Sequence, residues 1–168
     1  TFLLNSHIVH FSVSRYNFNM ISAELSELVA TQQAFFLTGK TRDTKFRKEQ
    51  LACLKNILLK YQDEILDALA KDLRKSPAEA YITEFAPILK EIVFLRRRIS
   101  WWTKPKIRKT PLHSFPGISK ILPQPYGCTL VITPWNFPFQ IPLMAVAAAL
   151  SAGNCVILKP SHHAQESE

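Results

Sequence analysis

The 168-residue sequence predicts an α/β fold with a helical N-terminal region followed by one βαβ unit. Between residues 43 and 101, apolar residues recur every three or four positions, which is the period of a buried helix face. Over residues 127–160, two apolar, β-rich runs flank a stretch of small residues, as in a βαβ unit. The composition, 47% hydrophobic and 20% charged, is that of a globular chain and not of a disordered one.

Residues 1–19 have neither the order of a signal peptide nor a clear period, whereas Met20 and ISAELSELV resemble an ordinary N-terminus. We therefore predict that residues 1–19 are translated upstream sequence or a non-native extension. The alternative is a genuine strand, because HIVHFSVS partly alternates. A first helix is predicted over residues 22–37, with Ser22 as its N-cap and Gly39 just past its end.

One long amphipathic helix, or two nearly collinear ones, is predicted over about residues 43–74. Asp67 and Lys71 add an ion pair at i,i+4. The apolar stripe consists of Leu51, Leu54, Leu58, Tyr61, Ile65 and Leu69.

The motif SPAE at residues 76–79 predicts the start of a further helix, with Ser76 as N-cap and Glu79 completing a capping box. Pro87 lies inside this helical run, which should therefore kink or split. The run extends to about residue 101, and its apolar positions are Ile82, Phe85, Leu89, Ile92 and Ile99.

The net charge of +8 is unevenly placed, because 18 of the 21 Lys and Arg residues lie between Lys40 and Lys109. RRRISWWTKPK, residues 96–106, permits two interpretations. Basic and aromatic groups together can bind nucleic acid. Alternatively, the cations favour a helix C-terminus and the tryptophans pack on the domain. We prefer the second interpretation and predict no nucleic-acid partner, since no wider binding motif accompanies the stretch.

Residues 106–126 form a proline-rich arm, whose loose alternation and prolines suit short edge strands. The segment 127–168 follows with a strand (GCTLVIT, 127–133), a helix (141–153) and a second strand (CVILKP, 155–160). Both strands are apolar throughout, as expected for a parallel sheet covered on both faces. A membrane hairpin is the rival interpretation, but 13 helical residues fall short of the roughly 20 that a span needs.

The motif TPWNFP follows the first strand, and KPS (159–161) ends the second. In an open α/β sheet, ligands bind outside the carboxyl ends of the strands, so Asn136 and Lys159 are predicted to face one crevice. Two prolines and two aromatic residues around a single amide indicate that the Asn136 side chain is held in a fixed direction. No G-x-G-x-x-G motif is present, and the cofactor therefore stays open at this point.

The string PYGCTLVITPWNFPFQIPLMAVAAALSAGNCVILKPS resembles the first nucleotide-binding segment of the aldehyde dehydrogenase family. The resemblance covers roughly residues 30–162 and is nearest to the shorter class that handles fatty and aromatic aldehydes. It implies an oxidoreductase with a Rossmann-like parallel-sheet dinucleotide-binding domain that is incomplete here. Residues 20–105 then form its helical N-terminal part, 106–126 a strand arm linked to oligomerisation, and 127–168 a truncated first βαβ unit.

The resemblance also implies site residues. Asn136 matches the asparagine whose amide holds the aldehyde oxygen as it becomes an oxyanion; the alternative is a turn asparagine bonded to its own backbone. Lys159 matches the lysine that binds the adenosine ribose hydroxyls or a 2′-phosphate, unless it is a solvated surface lysine. Ser161 is a weaker cofactor contact or a helix N-cap. The residues matching the lining of the dinucleotide site are Ile132, Thr133, Pro134 and Trp135, although Trp135 also suits core packing.

The family's mechanism needs a cysteine thiolate and a general-base glutamate, and both normally lie downstream of K-P-S. Burial makes Cys128 and Cys155 poor nucleophiles, and Cys53 lies on the amphipathic helix. The chain alone is therefore expected to be inactive. The implied cofactor is NAD or NADP, since His162 replaces a glutamate found in many NAD-preferring members.

The expected partners are an aldehyde and a second copy of the full enzyme, with no metal and no membrane span. The three cysteines lack paired spacing, which indicates a reducing, cytoplasmic compartment. Two other classes stay open: a non-catalytic nucleotide-binding or regulatory protein, and a basic nucleic-acid-binding helical module.

Overall fold

The computed structural model describes residues 8–10 and 18–167. The predicted extension, residues 1–19, lies mostly outside this range. The elements are β1 (Ile8–His10), α1 (Phe18–Leu37), α2 (Thr44–Lys60), α3 (Gln62–Leu73), α4 (Pro77–Ala80), a π-helical turn (Tyr81–Phe85), α5 (Ala86–Trp102), β2 (Lys106–Arg108), β3 (Ser119–Ile121), β4 (Cys128–Ile132), α6 (Gln140–Ala152) and β5 (Cys155–Lys159). Single 3-10 turns occupy Lys40–Arg42 and Leu112–Ser114.

Two sheets are present in the described part of the chain. The strands β1, β5 and β4 form a parallel sheet in that order, with Cys128 opposite Cys155 and Ile132 opposite Lys159. The βαβ unit β4–α6–β5 is therefore confirmed. Strands β2 and β3 pair antiparallel and form the proline-rich arm as two short strands.

The hydrophobic core lies between the helices and the α6 side of the sheet. The stripe predicted on α2 and α3 is buried at every position except the half-buried Tyr61, where the two helices meet. A single residue, Tyr61, separates α2 from α3, and the Asp67–Lys71 pair is formed with its charged atoms 2.7 Å apart. Among the described helices, none is long and apolar enough to cross a bilayer.

Two predictions about helix details are wrong. Ser22 does not cap α1, because the helix already begins at Phe18 and an N-cap residue needs non-helical backbone. Ile82 is 68% exposed, although the helical period predicts it on the buried face. The π-helical turn shifts the register before Pro87, so that the buried stripe of α5 runs through Ile88, Ile92, Leu95 and Ile99.

The expectation that both strands are covered on both faces holds for β5 only. Val156 and Ile157 are at most 2% exposed, on opposite faces of β5, whereas Leu130 and Ile132 of β4 are 57% and 66% exposed. Leu130 and Ile132 lie two residues apart on one face of β4, and within the described residues this face is left uncovered. The expected packing of Trp101 is likewise wrong, since this side chain is 59% exposed. Trp102 does pack edge-on against Phe94, with their ring centroids 5.7 Å apart.

Candidate active site

The loop from β4 to α6 leaves the sheet beside the end of β5. The Thr133 amide donates to the Lys159 carbonyl at 3.3 Å, which extends the pairing of the two strands by one residue. The carboxyl ends of β4 and β5 are thus adjacent, as the sequence predicted. Further along, Pro138 is buried, while Trp135 and Asn136 are exposed.

The Asn136 side chain makes no hydrogen bond within the described part of the chain, and its residue is exposed. The alternative of a turn asparagine bonded to its own backbone therefore lacks its defining contact. The amide remains able to donate to an external oxygen. An unpaired amide N–H suits the stabilisation of developing negative charge.

The N-terminus of α6 is held by a buried carboxylate that sequence reasoning missed. Glu84, from the π-helical turn, is fully buried and its Oε2 accepts from the amides of Phe139 (3.0 Å) and Gln140 (3.4 Å). Its Oε1 pairs with Lys75 Nζ. The same ammonium lies 4.3 Å from the ring centroid of Phe137, directly after Asn136. Two side chains from outside the unit thus hold the loop.

The occupied helix end has a consequence for phosphate binding. In many dinucleotide-binding folds, a phosphate sits on the free amides at the first helix N-terminus. Here the amides of Phe139 and Gln140 donate to Glu84 and are therefore not free to bind a phosphate. The absence of a glycine-rich motif before α6 agrees with this arrangement.

The C-terminus of α6 is held by a buried cation, also missed from the sequence. Arg47 is 6% exposed and donates to the carbonyls of Thr41 (2.6 Å), Arg42 (3.2 Å) and Ser151 (3.3 Å). Burial lowers the pKa of its guanidinium, and nearby Asp43 partly offsets that effect. A cation at this helix end interacts favourably with the helix dipole.

The turn after α6 sets the start of β5. Gly153 has φ +91°, a left-handed conformation that favours glycine, and a Cβ there would lie 2.5 Å from the Arg47 guanidinium. The Asn154 side chain accepts from the Gly127 amide at 3.0 Å, and the Cys155 amide donates to the Gly127 carbonyl at 2.8 Å. These contacts fix the register of β4 against β5, and with it the position of Lys159.

The sequence carried a signal for Arg47, which lies four residues before Leu51 and so continues the α2 stripe by one helical turn. It carried none for Glu84, because the predicted period placed Phe85 and Leu89, not Ile88, on the buried face. A charged residue at a position that the period assigns to the core needs a buried partner. For Arg47 one such partner, the Ser151 carbonyl, belongs to a distant element and cannot be identified from spacing.

The predicted cofactor residues lie at the carboxyl edge of the sheet. Lys159 is half-buried, and within the described residues its ammonium makes one hydrogen bond, at 3.4 Å to the adjacent Pro160 carbonyl. The Thr133 hydroxyl is buried without a partner there. Ser161 accepts from the His163 amide at 3.4 Å in a turn, not at a helix N-terminus. Ile132 exposes 66% of its surface, while Pro134 and His162 are also exposed.

The two cysteines of the parallel sheet, Cys128 and Cys155, lack the environment of an activated thiol. Burial raises the pKa of Cys128, and it raises the pKa of Cys155 to about 11, with the neighbouring Cys128 adding to the effect. A thiol that stays protonated at neutral pH is a poor nucleophile. Cys53 lies on α2, and all three thiols are free.

Residues 19–167 match the model of the aldehyde dehydrogenase family. The 4,4'-diaponeurosporen-aldehyde dehydrogenase of Staphylococcus aureus is 46% identical over 129 residues, which cover 77% of this chain and 28% of that protein. The dimeric NADP-preferring aldehyde dehydrogenase of Canis lupus familiaris is 33% identical, with 83% of this chain and 31% of that protein covered. The substrate-bound structure of Staphylococcus aureus AldH has a TM-score of 0.81 and 40% identity, over 90% of this chain and 32% of that one.

This chain therefore belongs to the aldehyde dehydrogenase family, and its fold corresponds to an incomplete α/β dinucleotide-binding domain. It spans 28% and 31% of the lengths of the two relatives. The recognition made from the PWNFP and AGNCVILKPS strings is confirmed.

Proposed function

We propose that the chain is the N-terminal segment of an NAD(P)-dependent aldehyde dehydrogenase that oxidises aldehydes to carboxylic acids through a cysteine thiohemiacetal. In this proposal, the nucleophilic cysteine and the general-base glutamate are supplied by sequence outside these 168 residues. The chain alone is then inactive, and the raised thiol pKa values of Cys128 and Cys155 support that part of the proposal.

The observation that carries the proposal is the Asn136 amide, exposed and unpaired within the described residues, in a loop held by Glu84 and Lys75. In the proposed reaction, this amide donates to the aldehyde oxygen as attack on the carbonyl carbon places negative charge there. A donor already fixed in direction needs no reorganisation at the moment of reaction. Removal of one such donor raises the barrier by about 2.7–4 kcal/mol.

The residues at the carboxyl edge fit a nicotinamide dinucleotide. Lys159 offers an ammonium with one weak internal bond, Thr133 offers a buried unpartnered hydroxyl, and Ile132 offers an exposed apolar surface. Lys159 would bind the ribose hydroxyls or a 2′-phosphate, with Ser161, Pro134 and Trp135 as further contacts. The bound dinucleotide supplies the hydride acceptor of the oxidation.

NADP use is supported by His162, since a carboxylate at this position would repel a 2′-phosphate and imidazole does not. The relative from Canis lupus familiaris, which is named NADP-preferring, also supports this choice. We leave NAD as the other candidate. The two cofactors are distinguished by comparing kcat/KM for NAD and NADP in the wild type and in His162→Glu, which should shift the ratio towards NAD.

A homodimer in the cytoplasm completes the proposal. Its support is the exposed apolar surface of the β2–β3 arm, where Ile107 is 71% exposed, Phe115 80% and Ile118 70%. The free thiols agree with a reducing compartment.

The deciding experiment uses the complete open reading frame around these 168 codons, assayed with fatty and aromatic aldehydes. Asn136→Ala should lower kcat about 10²–10³-fold while the Kd of the cofactor stays unchanged. The matched control is Asn56→Ala, at an exposed asparagine on α2. An unchanged kcat in Asn136→Ala, or a reading frame without a downstream cysteine and glutamate, contradicts the proposal.

A further inference from the structure

The Glu84–Lys75 pair is the most deeply buried ion pair in the described part of the chain, with side chains 0% and 12% exposed. Glu84 belongs to the π-helical turn, and Lys75 lies between α3 and α4. Neither residue belongs to the βαβ unit. Their contacts nevertheless converge on three residues of one loop, Phe137, Phe139 and Gln140.

The contacts flank the residue that would act on the aldehyde. The Lys75 ammonium lies over the ring of Phe137, which is covalently next to Asn136. The Glu84 carboxylate fixes two amides three and four residues after Asn136. On the other side, Thr133 is bonded to Lys159. Asn136 is thus the exposed centre of a segment whose two ends are held.

Stability alone does not require a buried charge pair at this place. Removing two charges from water is costly, and well-packed apolar residues of similar volume are often equally stabilising. What a charged pair adds is direction, because a carboxylate accepts from specific amides and an ammonium selects one aromatic face. The π-helical turn, a feature often found at functional sites, places Glu84 to do so.

We propose that Glu84 and Lys75 are positioning residues that set the direction of the Asn136 amide for the oxyanion. This inference rests on the proposed function. A donor acts on a developing charge only when it is held within about 0.5 Å of its productive position. Loosening the end of the loop after Asn136 should therefore slow the chemical step, while the Thr133 end stays bonded to Lys159 and keeps its cofactor contacts.

The first test is made in this chain by hydrogen exchange. Glu84→Gln should accelerate exchange of the Phe139 and Gln140 amides about tenfold or more, because a bond to a charged acceptor is replaced by a weaker one. Glu79→Gln, at an exposed glutamate one turn earlier, is the matched control and should change neither amide. Unchanged exchange in Glu84→Gln overturns the inference.

The second test uses the complete enzyme. Glu84→Gln should lower kcat by about 10- to 100-fold with the KM for the cofactor within about twofold, since a 1 Å misplacement can cost that much. Lys75→Gln should act in the same direction. In the Asn136→Ala background, Glu84→Gln should cause no further loss, because the amide that it positions is gone.

The outcomes separate the two proposals. Independent, multiplicative losses from Glu84→Gln and Asn136→Ala overturn the positioning role and leave the role of Asn136 intact. A rise in the cofactor KM that matches the fall in kcat also overturns it. An unaffected kcat in Asn136→Ala instead removes the proposed function, whatever Glu84→Gln does.

Discussion

Each end of helix α6 is held by a buried charged side chain, and the two charges have opposite sign. At the N-terminus, the buried anion of Glu84 accepts from backbone amides. At the C-terminus, the buried cation of Arg47 donates to the Ser151 carbonyl and to two carbonyls before α2. Each charge complements the helix dipole at its own end. Both come from the helical region that precedes the βαβ unit.

The two ends differ in the segment to which each is joined. The Arg47 end leads into Gly153 and Asn154, and the bonds of Asn154 and its neighbour set the register of β4 and β5. The Glu84 end leads back into an exposed loop with an unpaired amide. A disturbance at the Arg47 end should therefore appear mainly as lost stability, whereas a disturbance at the Glu84 end should appear mainly as lost activity.

The largest expected effect on stability is that of Gly153→Ala. The new Cβ would lie 2.5 Å from the Arg47 guanidinium, which must move and leave a buried cation without its bonds. Loss of three charged hydrogen bonds costs about 3 kcal/mol or more, and left-handed backbone at alanine adds about 1 kcal/mol. Urea denaturation should show a loss of about 4 kcal/mol.

A double-mutant cycle sharpens this prediction. Arg47→Met alone should cost about 3 kcal/mol, and Gly153→Ala in that background only about 1 kcal/mol more. Arg42→Met removes an exposed charge close by and is the matched control. Additive losses in the cycle would mean that the Cβ clash with the guanidinium is not the cause.

A smaller loss in the free energy of unfolding is expected for Asn154→Ala. The Asn154 side chain accepts from the buried amide of Gly127, and an unpaired buried amide costs about 1–3 kcal/mol. Urea denaturation should show a midpoint between those of the wild type and Gly153→Ala. The slope of the transition should be unchanged, since the surface exposed on unfolding is the same. An unaltered midpoint would show that the Cys155–Gly127 backbone bond fixes the strand register alone.

Most of the fold was predictable because it depends on local pattern. The helical period predicted the buried stripe from Leu51 to Leu69. Ser76 predicted the start of α4, and its side chain does accept from the Glu79 amide, at 3.2 Å. The π-helical turn was not predictable, since it changes the register without a change of composition. Because of this shift, the helical period wrongly assigned Ile82 to the buried face and left out the buried residues Ile88 and Leu95.

The candidate site was predictable only in part for a similar reason. Asn136 and Lys159 follow strands, and adjacency of the strand ends follows from parallel pairing. Glu84 bonds Phe139, 55 residues further along the chain, and Arg47 bonds Ser151, 104 residues further along. Local sequence patterns do not predict contacts at such separations. The sequence marked Arg47 as a charge on an apolar stripe, gave no such mark for Glu84, and did not identify the partners of either residue.

The smallest expected effect concerns Lys71 on α3, which bonds Asp67 at 2.7 Å with both side chains more than half exposed. The bond to Asp67 raises the pKa of Lys71, so any stabilisation is present below pH 10.5 and is lost as the pH rises beyond it. Lys71→Met should leave the urea midpoint at pH 7 within experimental error, because water screens an exposed pair. A loss as large as that of Arg47→Met would mean that position on a helix, and not burial, decides what a charge contributes. The comparison of the α6 ends would then lose its physical basis.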